Sequence, residues 1–247
     1  MKLIVAGSTG FVATEVIRQA LFYPAVTSIV ALARRETTIP QNVGPDADAA
    51  KLKSVVCEDF GNYPESVKKE LAGADACIWL IAVTPSKQNK MPWGEVRKIC
   101  LDYTVTGIET MGQMPRASTD KPFRFIYTSG AHSERDPSKK PWLLGDYCVM
   151  RGEAESRVLG YAKKSGGAIE ACVAKPGLID APGRTGMVMN AVRTVGCSII
   201  GLPRVDVSEV AATLLDQAIK GFEKETLLNE DLVRIGQKAL ADQQKDS

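Results

Sequence analysis

The chain opens M-K-L-I-V-A-G-S-T-G-F-V-A-T-E-V-I, and no other stretch limits its fold as much. A short apolar run ends in glycines three apart, and an amphipathic pattern begins at once. Gly7 permits a tight turn, Gly10 lets the backbone approach an anion closely, and Ala13 is small enough for a helix to pack on a sheet. The free N–H groups at the start of that helix face the same point and favour negative charge. Gly7, Ser8, Thr9, Gly10, Phe11 and Val12 are therefore candidate contacts to the pyrophosphate of a dinucleotide. The plainer alternative is a glycine-rich strand-to-helix turn.

Further apolar runs follow at intervals: S-I-V-A-L, S-V-V-C, A-C-I-W-L-I, F-R-F-I-Y and I-E-A-C-V-A. They are too short for buried helices and rich in β-branched and aromatic residues, so they read as buried parallel strands. Helical patterns lie between them, at E-V-I-R-Q-A-L-F, E-S-V-K-K-E-L, W-G-E-V-R-K-I-C-L-D-Y and from Tyr147 to Lys164. Strand and helix in alternation imply right-handed crossovers and an α/β, doubly wound parallel sheet. Residues 36–52 and 131–146 read as surface loops, the second a candidate binding loop before the last helix. After Pro176 the alternation stops, and residues 177–247 are expected to form a small C-terminal substrate lobe of one domain spanning 1–247. Within it, P-R-V-D-V-S-E-V-A-A reads as a strand-like entry to a helix capped by Asp206 or Ser208.

The end of the second strand bears on which dinucleotide is bound. An acidic residue there would suit the ribose hydroxyls of NAD. Here the strand runs into Arg34-Arg35, whose guanidinium groups suit the 2′-phosphate of NADP. A solvated basic pair, with Glu36 neutralising one member, is the alternative. Asp59, beyond the third strand, is placed either to meet the adenine amino group or to form a turn or cap a helix.

Charge gives no other partner. Thirty-one basic and 29 acidic residues leave a net charge of +2, which argues against nucleic acid or an anionic membrane. No run of 18 apolar residues marks a membrane span, and a cytoplasmic location is the default expectation. The six cysteines are scattered and several sit in apolar runs, so they read as reduced, buried residues. With His132 as the single histidine, no metal site is expected.

Several stretches together resemble the short-chain dehydrogenase/reductase superfamily, in its extended or atypical branch. They are G-S-T-G-F-V-A at 7–13, A-R-R at 33–35, D-F at 59–60, L-I-A at 80–82, I-Y-T-S-G at 126–130, Y-C-V-M-R-G-E-A-E at 147–155 and K-P-G at 175–177. With Leu227-Leu228-Asn229-Glu230, the likeness is nearest to the Tat-interacting-protein group of NADP-binding proteins. The resemblance implies a Rossmann-like fold, NADP as cofactor, and a serine–tyrosine–lysine constellation at the nicotinamide. Tyr147 maps to the general acid/base and Ser129 to the residue holding the substrate oxygen, with Thr128 a contender and Gly130 a third alignment. Arg151 occupies the lysine position. Ala82 and Thr128 would bind the cofactor, Pro176 and Gly177 would line its nicotinamide side, and pairing through the long helices would give a homodimer.

The residues themselves support part of this. Four positions apart on a helix, Tyr147 and Arg151 share a face, and an adjacent cation favours a phenolate. Arginine supplies that cation but cannot relay a proton. Alternatively, Arg151 and Glu155 form an exposed helix pair and Tyr147 is a rim residue. His132, Trp142, Met187 and Met189 are candidates to line a pocket. The expected function is an NADP-dependent oxidoreductase acting on a small hydrophobic carbonyl or alcohol. The alternatives are a non-catalytic NADP(H)-binding regulator, or a redox-neutral isomerase or cyclase.

Overall fold

The computed structural model describes residues 1–41, 43–44, 46–116, 120–180 and 202–245. Each apolar run becomes a strand: β1 (Lys2–Ala6), β2 (Ser28–Ala33), β3 (Leu52–Val56), β4 (Ala76–Trp79), β5 (Phe123–Thr128) and β6 (Ile169–Lys175). Two short strands, β7 (Leu178–Asp180) and β8 (Arg204–Asp206), pair separately. A last one, β9 (Thr226–Leu228), joins the main sheet, whose order is β3-β2-β1-β4-β5-β6-β9 with every pair parallel. The order reverses between β1 and β4. In sheets of this kind a crevice opens there, beyond the carboxyl ends of the strands.

Helices cover both faces because strand residues alternate in direction. Leu3 and Val5 of β1 pack with α1 (Phe11–Ala20), α7 (Val207–Lys220) and α8 (Asn229–Lys245). Ile4 and Ala6 face the cluster that includes α2 (Glu65–Leu71), α4 (Trp93–Arg97), α5 (Tyr103–Gly112) and α6 (Gly145–Lys164). A one-turn α3 (Pro85–Gln88) follows β4. The helix expected over 93–103 continues to Gly112 through a π-helical turn at Lys98–Asp102.

Beyond Pro176 the expectation that alternation ends is corrected. Thr226–Leu228 pairs with Val173–Lys175 and extends the sheet by one strand. Three residues are too few to show a period, which is why the strand does not stand out in the sequence. Asp206 caps α7, accepting from the Ser208 N–H at 2.8 Å, while Glu209 returns a bond to the Asp206 N–H in a capping box. Residues 202–245 of the expected lobe thus build the seventh strand and part of one helical layer. Met187 and Met189 lie outside the described residues, as does Cys197. The five described cysteines are buried and free. Among the described residues, no helix is long and apolar enough to cross a membrane.

Candidate functional site

The glycine turn sits at the mouth of the crevice. Gly7 has φ +83°, and its N–H donates to the Leu32 carbonyl at 2.8 Å, locking the turn to the end of β2. A Cβ at Gly7 would lie 3.2 Å from Ile81 and from the Leu80 backbone, and one at Gly10 would lie 3.0 Å from the Gly7 carbonyl. A side chain at Gly7 would be strained by the positive φ, and one at Gly10 would need the Gly7 carbonyl to shift by a few tenths of an ångström. The α1 N-terminus has no side-chain cap and no acidic residue in its first turn. Around it Thr9 and Gly10 are exposed, Phe11 and Val12 are half-buried, and Ala13 is in the core. The turn fits a pyrophosphate.

Beside it, Ser8, Thr9, Arg35, Thr37 and Thr38 help line a cavity of about 430 Å³. The Ser8 and Thr37 hydroxyls are 2.6 Å apart. Arg34 and Arg35 are exposed and have no ion pair among the described residues, so Glu36 does not neutralise them. Asp59 is exposed, and its Oδ1 accepts from the Gly61 N–H at 2.9 Å, so the turn-forming role is present. That bond, then a bond from the Tyr103 hydroxyl, lowers its pKa. Asp59 remains a carboxylate that faces solvent on one side.

Tyr147 stands in the first turn of α6. It is 9% exposed, so it is no rim residue, and its hydroxyl donates to the Val83 carbonyl at 2.7 Å. Val83 follows Leu80 and Ile81, so the glycine turn and the phenol meet the same stretch of chain after β4, with Ala82 exposed between them. Burial pushes the Tyr147 pKa up to about 12, and Arg151 pulls against it without prevailing. The expected net lowering of the phenol pKa by the neighbouring cation is thereby corrected: desolvation outweighs the charge.

Arg151 is 2% exposed and takes part in no exposed helix pair. Its guanidinium lies over the Tyr127 ring, 4.9 Å from the centroid, and its Nη2 donates to the Thr128 carbonyl at 2.6 Å. Nη1 has no partner among the described residues, nor has the Thr128 hydroxyl. Glu155 is fully buried and bonds elsewhere. It accepts from the Ser129 hydroxyl at 2.6 Å and from Arg135 Nε at 2.7 Å, and it pairs with Lys175 at 3.3 Å. The hydroxyl expected to hold a substrate oxygen is thus turned into the protein, where Ser133 also meets it at 2.9 Å. The reason is electrostatic: a buried carboxylate needs every donor it can reach.

This network is what sequence reading missed. Lys175 Nζ also donates to the Ser133 carbonyl, and Arg135 Nη2 to Thr226, so one carboxylate ties the 131–146 loop to α6, β6 and β9. The loop is further fixed by Glu134 N–H to the Cys148 carbonyl and by Ala131 N–H to that of Pro176. Pro176 is buried, Gly177 donates to Asn229, and Gly130 lies beside Ser133. The one sequence signal was the lysine of K-P-G, which ends an apolar run; Glu155, flanked by Glu153, Ser156 and Arg157, gave none.

Next to Tyr147, a cavity of about 410 Å³ is lined by Gln88, Trp93, Leu144, Gly145 and Asp146. Leu144 adopts φ +56°, the only positive φ of a non-glycine among the described residues, where α6 begins. Backbone strain of this kind gathers where a side chain must be aimed. His132 and Trp142 line a separate cavity across the loop, with Trp142 90% exposed.

No protein-family model and no curated protein sequence matches the chain. Solved structures do. The dTDP-glucose 4,6-dehydratase DesIV of Streptomyces venezuelae, with NAD and TYD bound, is 15% identical over 98% of this chain and 81% of its own, with a TM-score of 0.65. Vestitone reductase of alfalfa (Medicago sativa) is 18% identical over 92% and 74%, at 0.60. The reductase domain of PhqB from Penicillium fellutanum is 15% identical over 92% and 65%, at 0.64. Likeness at such identities shows the fold alone, and that fold is Rossmann-like.

Proposed function

We propose that this protein is an NADP-dependent oxidoreductase of the short-chain dehydrogenase/reductase type, akin to the Tat-interacting-protein group, acting on a small hydrophobic carbonyl or alcohol. The observation that carries the reading is that Tyr147 lines a cavity together with Trp93, while its hydroxyl is bonded to Val83, one short stretch of chain from the contacts of the glycine turn. That two of the similar folds are named reductases supports it.

Gly7, Gly10 and the α1 N-terminus would hold the pyrophosphate, and Arg34 and Arg35 the 2′-phosphate. NADPH, when bound, supplies a hydride. Tyr147 supplies the proton: with its pKa near 12 the phenol keeps that proton at neutral pH, as a general acid must. The Val83 carbonyl holds the hydroxyl between turnovers. The Trp93 indole favours a flat, apolar substrate in the same cavity.

A second reading, a non-catalytic NADP(H)-binding regulator, draws on the commitment of Ser129 to Glu155 and the burial of Arg151. NADPH consumption with a panel of aryl ketones separates the two. Turnover that falls about 100-fold or more in Tyr147→Phe supports the oxidoreductase. Tight NADPH binding without turnover on any member favours the regulator.

A further inference from the structure

Ser8 of the glycine turn is tied at two points to the stretch of chain that carries the arginines. Its N–H donates to the Leu32 carbonyl at 3.3 Å, and its hydroxyl lies 2.6 Å from that of Thr37. Residues 33–36 therefore run between two anchors on one buried residue, and Arg34 and Arg35 lie within that span. A third tie comes from the edge strand β3, where the Ser54 hydroxyl accepts from the Thr37 N–H at 2.9 Å. No helix or strand includes residues 34–40. Among the described residues, the two hydrogen bonds involving a side chain that this segment makes are both at Thr37.

The cavity of about 430 Å³ beside the turn has Arg35 and Glu36 as its charged wall residues. They are adjacent and opposite in sign. A shift of the segment by one residue would put a carboxylate where a guanidinium stands, and would turn attraction for a phosphate into repulsion. Arg34 and Arg35 are also exposed, so each loses side-chain freedom on gripping an anion. A backbone that is already held leaves less to be ordered on binding.

We propose that Ser8, Thr37 and Ser54 are positioning residues that hold Arg34 and Arg35 in register for the 2′-phosphate of NADP. Ser8, at 1% exposure, then acts through Thr37 and not by its own hydroxyl on the pyrophosphate. The proposal rests on the NADP reading above.

The test is the Kd for NADPH and for NADH, measured by titration calorimetry on the whole chain and its variants. Thr37→Val keeps the side-chain shape and the N–H to Ser54 but removes the hydroxyl, whereas Thr37→Ser retains it. Thr37→Val and Ser8→Ala are each expected to weaken NADPH about three- to ten-fold, with NADH held within about twofold. Both break the same bond, so the double variant should bind no worse than the weaker single one. Thr37→Ser should keep the original ratio of the two affinities. Equal weakening of both nucleotides by Thr37→Val would make the bond merely structural and overturn the proposal, as would additive losses in the double variant. Arg34→Ala with Arg35→Ala, measured alongside, separates the two levels. If that variant keeps the ratio, the NADP reading itself fails and the anchor falls with it. If it loses the ratio while Thr37→Val keeps it, the anchor alone is wrong.

Discussion

The Arg151 guanidinium rests on the face of Tyr127, 4.9 Å from the ring centroid, and not on Glu155 one helical turn away. Stacking and one strong bond to the Thr128 carbonyl keep a fully desolvated cation in place. Lysine lacks the planar fork that does both. Arg151→Lys is expected to cost about 1–3 kcal/mol of stability, measured by urea unfolding. An unchanged unfolding midpoint would show that the stack contributes nothing.

Tyr147 makes stability depend on alkaline pH. Its folded pKa of about 12 lies above the ordinary value of 10, so the unfolded chain loses its proton first as pH rises. The stability linked to this group is whole below pH 10 and is lost between about pH 10 and 12. The loss amounts to roughly 2–3 kcal/mol. Tyr147→Phe should remove that part of the pH slope in unfolding curves collected from pH 8 to 12, although the variant starts lower through loss of the bond to Val83.

Glu155 is the single carboxylate between Lys175 and Arg135. Glu155→Ala leaves the nearly buried Lys175 ammonium without its counterion. The expected cost is about 3–5 kcal/mol, seen as a large drop in Tm. A loss below 1 kcal/mol would mean that the network is electrostatically idle.

Gly152 reverses the usual sign of a helix substitution. Within α6, alanine ought to be better than glycine by about 1 kcal/mol. Yet a Cβ at this position would sit 1.9 Å from the Glu134 carbonyl, where the 131–146 loop crosses the helix. Gly152→Ala is expected to destabilise by about 2 kcal/mol or more, since backbone on both sides must move. Calorimetry checks the sign directly.

Arg34 and Arg35 are expected to choose the cofactor. Replacing both with alanine should weaken NADPH binding about 10- to 100-fold and leave NADH within about threefold. Titration calorimetry with both nucleotides measures this. Equal weakening of the two would remove the 2′-phosphate from the argument.

Six strands, the parallel sheet and the glycine turn were legible in the sequence. Each rests on a local signal: an apolar run, a period, or a spacing of small residues that backbone geometry requires. The tyrosine and arginine of α6 were also legible as a pair on one helix face. What only the tertiary structure decided is where each polar side chain on that helix finds its partner. Arg151 and Glu155 have the spacing of a surface ion pair, but β5 lies beneath them. Tyr127 and Thr128 take the arginine, while Ser129, Arg135 and Lys175 take the glutamate. Sequence spacing ranks neighbours along one element. Burial removes the competing water and gives the choice to whatever group the fold packs opposite. The same holds for Thr226–Leu228, a strand made by the free edge of β6 and by no pattern of its own.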